Sequence, residues 1–510
     1  MRCDAVHSGH GSLSLSNLLL SSAVVLLDDP RGGVLISNGT QSEPLTKETL
    51  AVHGDSVPVC VVVDRRPLRQ AQRLGLKPAR CVALKDYKRL IEQAGYQGFE
   101  LPQPAQPQAI LDLAAQVGQR LKDAGLARVA RLESTFLPVC ERLQAAGLPV
   151  DLRAWDEVLS AAHERAQAAR RQLTDRVGTD FGGNPNIEPG ERNKLLAWFR
   201  SEGFHLKDLS KSTLSGVQHP AAQALLTWRE ASKLTSTYER YTERQVGGRI
   251  FGHFEPLGAH TGRMSCGDPN LQNIPAVLRP CVRAPEGRVL ISADYSGCEL
   301  RIVASLSGDQ VFRETLLSGD FHSAVATRLF GQPVSKTEQS HLRHAAKAIN
   351  FGLIYGMGAR RLAESLELPV SEARALLDKY FESFPRLAQW REEAQRHARQ
   401  TRRLATISGR QLQLDEGKVS STLALNYPVQ GAGADLIKWA AIRFVRAAVD
   451  LAGRPALVNM VHDELLVEVD SAHAEAARSA LVQAMLGAGV DLFPEVPMAV
   501  DARVGAVWEH

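Results

Sequence analysis

Residues 343–356 read Arg343-His344-Ala345-Ala346-Lys347-Ala348-Ile349-Asn350-Phe351-Gly352-Leu353-Ile354-Tyr355-Gly356, and this stretch decides the fold. Arg343, Lys347, Phe351 and Tyr355 stand at successive i, i+4 steps, so on a helix they drift slowly round one face. Ile349, Leu353 and Ile354 fall at other angles and can serve a core. Two cations followed by two aromatics are poorly suited to packing. They suit a nucleotide, because Arg and Lys meet phosphates and a flat ring meets a base or sugar. An amphipathic helix with snorkelling cations presents the same stripe. The glycine-rich end of this stretch, 352–358, lacks the spacing of a P-loop.

A second signal lies on either side of that helix. The apolar run 289–293 leads directly into Asp294-Tyr295-Ser296. Far downstream, 457–461 leads into His462-Asp463-Glu464, and 465–469 leads away as a second hairpin arm. An aspartate at the end of a buried strand sits at the rim of a core. Two of them at adjacent strand ends form a site for Mg²⁺, which takes oxygen ligands and keeps waters and substrate phosphates. Two such ions activate an attacking oxygen and stabilise a leaving one. Taken singly, each aspartate is equally a turn residue or a helix cap.

The chain around these signals has 510 residues, 44 % hydrophobic and 23 % charged, which suits two to four globular modules and excludes disorder or coiled coil for the bulk. No run of 18 apolar residues occurs, and the stretch 13–27 is broken by serines and Asn17, so it reads as a buried strand. Seven scattered cysteines, with no Cys-x-x-Cys pair, indicate neither a zinc site nor a disulfide framework and fit a reducing cytoplasm. The net charge is only +4, yet residues 313–403 carry 15 Lys and Arg against 10 Asp and Glu. A solvated helical surface or an anionic partner accounts for that excess.

Residues 1–130 show strand-like runs at 23–27 and 57–63, a Pro/Gln-rich connector at 101–108 and a helix-like 109–126. From Arg131 the pattern changes to helices at 132–146, 154–177 and 191–203, with Gly, Pro and Ser breaks as far as Arg249. A loop-rich segment at 257–285, the strand at 289–293, a helical 315–401 and the hairpin at 458–469 follow. This order predicts a sheet-based catalytic module with two helical insertions.

The spacing Arg343-x-x-x-Lys347-x-x-Asn350-Phe351-Gly352-x-x-Tyr355-Gly356 resembles the fingers helix of family A DNA polymerases, the bacterial DNA polymerase I family. Residues 294–301, Asp294-Tyr295-Ser296-Gly297-Cys298-Glu299-Leu300-Arg301, resemble that family's first acidic motif, and Val461-His462-Asp463-Glu464 its second. Thr261-Gly262-Arg263-Met264-Ser265 and Pro269-Asn270-Leu271-Gln272-Asn273-Ile274-Pro275 resemble its template–primer loop. Asn426-Tyr427-Pro428-Val429-Gln430-Gly431 and the terminal Val507-Trp508-Glu509-His510 are similar to further family segments, all in the family's order over 131–510.

The resemblance implies a mixed α+β fold: a right-hand polymerase with thumb at about 151–250, palm at about 251–312 and 406–510, and fingers at about 313–405. An α/β exonuclease-like or platform domain precedes it at 1–130. It implies two Mg²⁺ ions, replaceable by Mn²⁺, on Asp294, Asp463 and the Tyr295 carbonyl, with Glu464 as a supporting carboxylate. Arg343, Lys347 and His322 hold the dNTP triphosphate, with Ser296 nearby, and Lys347 is a candidate proton donor to the leaving pyrophosphate. Phe351 stacks on the nucleotide, while Glu299, backed by Tyr355, excludes a ribose 2′-hydroxyl. Arg263, Gln272, Asn273, Arg279, Asn426, Gln430, His462, Thr237 and Tyr238 are the implied primer–template contacts. The expected protein is a monomeric, cytoplasmic DNA polymerase without a membrane segment.

Departures from the family pattern are Gly297 and Cys298 for Gln and Ile, Thr422 for Arg, and Thr235 for Lys. Residues 1–130 contain 12 acids but no Asp-x-Glu, so no 3′–5′ proofreading is expected, and the region is too short for a 5′-nuclease. A translesion or gap-filling enzyme of the same chemistry and a catalytically dead DNA-binding scaffold stand as alternatives.

Overall fold

The computed structural model describes residues 23–29, 33–37, 42–44, 56–74, 76–101, 107–177, 187–354 and 356–509. Residues 13–22 of the expected first strand and 102–106 of the connector lie outside these, as does Tyr355.

The N-terminal sheet contains β1 (Ala23–Asp29), β2 (Gly33–Ser37), β3 (Ser42–Pro44), β4 (Ser56–Val62) and β5 (Lys77–Ala83), in the order β3-β2-β1-β4-β5. β1, β4 and β5 run parallel, and β2 and β3 complete an antiparallel edge. Parallel neighbours require a crossover, and helix α1 (Arg66–Leu74) supplies the one between β4 and β5. Successive residues of a strand face opposite sides. Val59, Val61 and Val82 accordingly enter one core with Tyr87 and Ile110, from helices α2 (Leu84–Gln93) and α3 (Pro107–Asp123). Cys60, Val62 and Cys81 enter another with Leu68 of α1.

Helix α4 (Ala127–Ala146) runs without a break through residues 130 and 131, where the sequence pattern changes. It gives Val129 and Ala130 to one N-terminal core and Leu137 to the other. Phe136, Val139, Cys140 and Leu143 go to the main core. The change of pattern at Arg131 marks a change of packing partner along one helix.

Two long helices form the expected thumb, α5 (Leu152–Val177) and α6 (Pro220–Thr242). Trp155 meets Tyr238 and Tyr241 at their base, within the main core. Leu173 and Val177 meet Ala221 and Leu225 at the tip, in a separate core closed by Phe199.

The palm sheet is fully antiparallel, with β6 (Arg288–Tyr295), β7 (Ala456–Val461), β8 (Glu464–Asp470) and β9 (Val500–Gly505) in the order β7-β8-β6-β9. β6 is central and paired on both sides, so it extends to Tyr295, two residues beyond the expected end. Helices α7 (Cys298–Ser307), α8 (Phe321–Phe330) and α9 (Ser340–Ile354) continue from it into the fingers. Ala346, Ile349, Tyr380 and Phe384 of the fingers share one core with Ile291, Leu465 and Leu436 of the palm. Two further helices, α10 (Ser421–Ala447) and α11 (Ala474–Leu492), lie against the sheet.

Candidate active site

Asp294 lies opposite Glu464 of β8 on one side and Asp501 of β9 on the other. The hairpin turn after β7 brings Asp463 to the same place. The Tyr295 N–H donates to the Asp463 carbonyl at 3.3 Å, and the turn places the exposed His462 at φ +52°. Burial is the first cause that pushes both carboxyls above the usual carboxylate range. Asp294 reaches about 7, raised further by the charges of Asp463 and Glu464. Two adjacent, partly desolvated carboxyls fit a divalent cation, since a hard cation neutralises both. Among the described residues no group of three or more acidic, His or Cys side chains is arranged to hold a metal ion. A two-carboxylate set suits Mg²⁺, which completes its shell with waters and phosphates.

Glu464 is 3 % exposed and turned inward. It accepts from Ser292 Oγ at 2.6 Å and from the Trp508 indole N–H. Its role is to tie β8 to β6 and to the C-terminal segment. Arg279 lies over the Trp508 ring, 4.6 Å from its centre. Neither Ser292 nor Trp508 was assigned a role from sequence; a buried glutamate in a strand requires such donors.

On the fingers, α9 presents its expected face. Lys347 is exposed and Phe351 half-buried, while Ile349 is in the core. Arg343 forms a two-point pair with Asp320, at 2.8 and 3.1 Å. Asp320 also caps α8, accepting from Ser323 Oγ at 2.8 Å. The Arg343 and Ser323 hydrogen bonds hold the Asp320 carboxyl well below the usual range. In the first turn of α8, His322 meets Asn350 at 3.0 Å and Phe351 with ring centres 5.6 Å apart. Burial and then Arg343 lower its pKa, which favours the neutral ring. Asp320 is the functional residue that sequence reading missed; its signal is its position as N-cap immediately before Phe321 and His322.

Arg263 pairs with Glu299 at 3.2 Å, which brings the expected DNA loop against the expected sugar gate. Ser296 is exposed at the end of β6, its N–H donating to the Ala499 carbonyl. Gly297 caps α7 with φ +66°, a conformation in which the glutamine of the family pattern is strained, and Cys298 is buried below it.

The remaining expected DNA residues divide into open and engaged side chains. Thr237 and Asn273 are exposed, and Gln430 is half-buried. Asn426 is half-buried with its Oδ1 lacking a hydrogen bond. Gln272 donates to the Met460 carbonyl at 2.9 Å, which straps the loop to β7. Tyr238 is 8 % exposed, and its hydroxyl donates to the Asn273 carbonyl. Tyr238 therefore faces the core and holds the loop. Thr235 bonds back to its own helix.

Beneath the 261–263 loop lies a buried ion network. Arg410, 0 % exposed, donates to Glu133 and Asp435, both at 2.5 Å. Lys438 donates to Glu133 at 2.6 Å and to the Pro256 carbonyl at 2.9 Å. Gly262, at φ +82°, lies against the guanidinium; a Cβ there would stand 2.3 Å from it.

The model of DNA polymerase family A matches residues 200–510. The chain is 34 % identical to DNA polymerase I of Rhizobium leguminosarum over 428 residues, 77 % of this chain and 41 % of that protein. It is 33 % identical to DNA polymerase I of Pseudomonas aeruginosa over 457 residues, 82 % and 48 %. It is 36 % identical to thermostable DNA polymerase I of Thermus aquaticus over 335 residues, 62 % and 39 %. It thus spans less than half the length of these relatives. The POL domain of Pol1 from M. smegmatis, solved in complex with DNA primer-template and dNTP, superposes with a TM-score of 0.80 at 26 % identity, covering 98 % of each chain. The match to the family model over more than half its length, the acidic pair on the palm strands and the cationic face of α9 lead to one assignment: the chain belongs to DNA polymerase family A.

Proposed function

We propose that the chain is a template-directed DNA polymerase that joins deoxynucleotides to a primer 3′-hydroxyl and releases pyrophosphate. The observation that carries this reading is the meeting of Asp294 and Asp463 through the β6 end and the β7–β8 turn. Mg²⁺ bound by these carboxylates, with the Tyr295 carbonyl, supplies charge neutralisation for the attacking and leaving oxygens. Mn²⁺ fills the same oxygen site. Arg343 exchanges Asp320 for a triphosphate oxygen, and Lys347 reaches the leaving phosphates, where its ammonium can deliver a proton. His322, neutral and oriented by Asn350, donates to a phosphate oxygen. Phe351 carries the nucleotide on its ring. Glu299, held by Arg263, closes the space for a 2′-hydroxyl.

Primer–template DNA is the proposed macromolecular partner. Arg263, Asn273, Arg279, Asn426, Gln430, His462 and Thr237 are the proposed contacts with it, while Gln272 and Tyr238 act by fixing the loop. Such contacts read backbone and pair shape more than sequence. The chain works as a monomer in this reading. A reducing cytoplasm suits its six described cysteines, all buried and free. No helix among the described residues is long and apolar enough to cross a membrane.

Proofreading is not part of the proposed activity. Asp64 pairs with Lys85 and Asp86 with Arg65, so these two acids of the N-terminal unit are engaged by neighbouring cations. A 5′-labelled primer–template with Mg²⁺ tests the whole reading. Extension with dNTPs, little with rNTPs and an intact primer without nucleotide are expected. Primer shortening without nucleotide would establish a nuclease, and no extension under any condition would leave a DNA-binding scaffold.

A further inference from the structure

A cavity of about 460 Å³ lies where the N-terminal unit meets the back of the palm helices. β5 contributes Arg80, α4 contributes Arg128 and Arg131, and α10 contributes Arg446. None of these four arginines forms an ion pair among the described residues, although two carboxylates line the same cavity. Both carboxylates are already engaged. Asp435 accepts from Arg410 and from Thr406 Oγ1. Asp491 accepts from Arg443 at 2.7 Å and from the Trp439 indole at 2.6 Å. Four guanidinium groups around one cavity thus lack a counter-charge within the described protein.

Two observations show that the cavity is more than a patch of solvated side chains. Ser408 lines it at 3 % exposure, and its Oγ has no hydrogen-bond partner. A buried hydroxyl without a partner costs free energy unless a water or ligand supplies one. Arg446 is also steadied over the Trp439 ring, 5.8 Å from its centre. Burial and repulsion from Arg131 lower the pKa of both Arg80 and Arg446.

We propose that this cavity binds a ligand bearing two or more phosphate charges and of nucleotide size. The volume falls within the range of about 300–1,000 Å³ usual for small-ligand sites. Guanidinium groups match phosphate oxygens through paired N–H donors, and Ser408 Oγ donates to the same anion. A free nucleotide and the phosphorylated 5′ end of a nucleic-acid strand share this chemistry. None of the lining residues belongs to the polymerase site proposed above, so the inference stands independently of that reading.

Calorimetric titration of the full chain with inorganic tripolyphosphate tests it. The background is the Arg343→Ala/Lys347→Ala variant, which removes binding at the fingers. One-site binding is expected to persist there and to weaken by at least about 30-fold on adding Arg80→Ala/Arg131→Ala, the loss of two charge-assisted contacts. The Arg80→Lys/Arg131→Lys pair keeps the charge and is expected to retain most of the affinity, which separates loss of the site from loss of the fold. Primer extension by Arg80→Ala/Arg131→Ala with otherwise native fingers is expected to stay within about twofold of the unaltered protein, as suits surface changes away from the site. Oligonucleotides with a 5′-phosphate or a 5′-hydroxyl distinguish the sources: preference for the phosphorylated one, lost on adding Arg80→Ala/Arg131→Ala, assigns a strand end, and equal binding of the two assigns a free nucleotide. Absence of tripolyphosphate binding in the fingers background, or binding unchanged by the Ala pair, overturns the proposal.

Discussion

At the scale of single residues, charge decides what each group can do. Asp320 shows this most directly, because one carboxylate caps α8 and holds Arg343. Arg343→Ala is expected to raise the dNTP KM by about 10- to 100-fold, the worth of a charge-assisted contact. Steady-state extension kinetics at fixed primer–template measure it, and an unchanged KM removes Arg343 from the triphosphate site. Glu141 gives the pH-dependent counterpart. It is 2 % exposed, Arg69 stands 3.4 Å away, and burial pushes its carboxyl up to about 7. The folded state therefore holds its proton more tightly than the unfolded one. This group costs nothing below about pH 4; its penalty grows as the pH rises from the usual glutamate value to about 7 and is fully present above that. Glu141→Gln is expected to stabilise the protein by roughly 2 kcal/mol at pH 8 and to be neutral near pH 4. Thermal melts across that range decide, and a variant less stable at pH 8 contradicts the assignment.

At the scale of elements, the 261–263 loop depends on what lies under it. Arg410 and Lys438 balance Glu133 and Asp435 in a site closed to solvent. Removing one member leaves a buried charge without its partner, at about 3–5 kcal/mol. Arg410→Met is expected to destabilise by that amount in denaturant titration. Gly262→Ala is the sharper probe, since its Cβ meets the Arg410 guanidinium and its φ is positive. It is expected to raise the primer–template Kd by about tenfold or more, the effect of displacing one DNA-contact element. The dNTP groups on α9 stay untouched. Equal affinity of variant and parent would show that the loop does not touch DNA. The i, i+4 stripe on α9 was legible because helical spacing alone places Arg343, Lys347 and Phe351 on one face. Tyr238 shows what spacing does not give. Its position on α6 was right, but only packing against Trp155 and Tyr241 turns the ring inward.

At the scale of the whole molecule, the N-terminal unit is joined to the palm by a shared helix and by charge. α4 enters three cores. Arg65 pairs with Glu255, and Arg89 donates to the Leu257 carbonyl at 2.9 Å. Units that share a core element unfold together. Scanning calorimetry is expected to show the N-terminal unit and palm melting in one transition. A separate early transition that leaves extension activity intact would show that the unit is dispensable.

Family membership and the order of the parts were legible in the sequence alone. Local spacing places the cations and ring on one helix, and each acidic motif ends an apolar strand. Tertiary structure alone decided the rest. It set Asp294 between Glu464 and Asp501 by strand register, gave Asp320 to Arg343 and turned Glu464 towards Ser292 and Trp508. It also ran α4 across the apparent boundary and gathered four arginines at one cavity. Each of these joins residues distant in sequence, where spacing carries no information and packing and charge compensation select the partner.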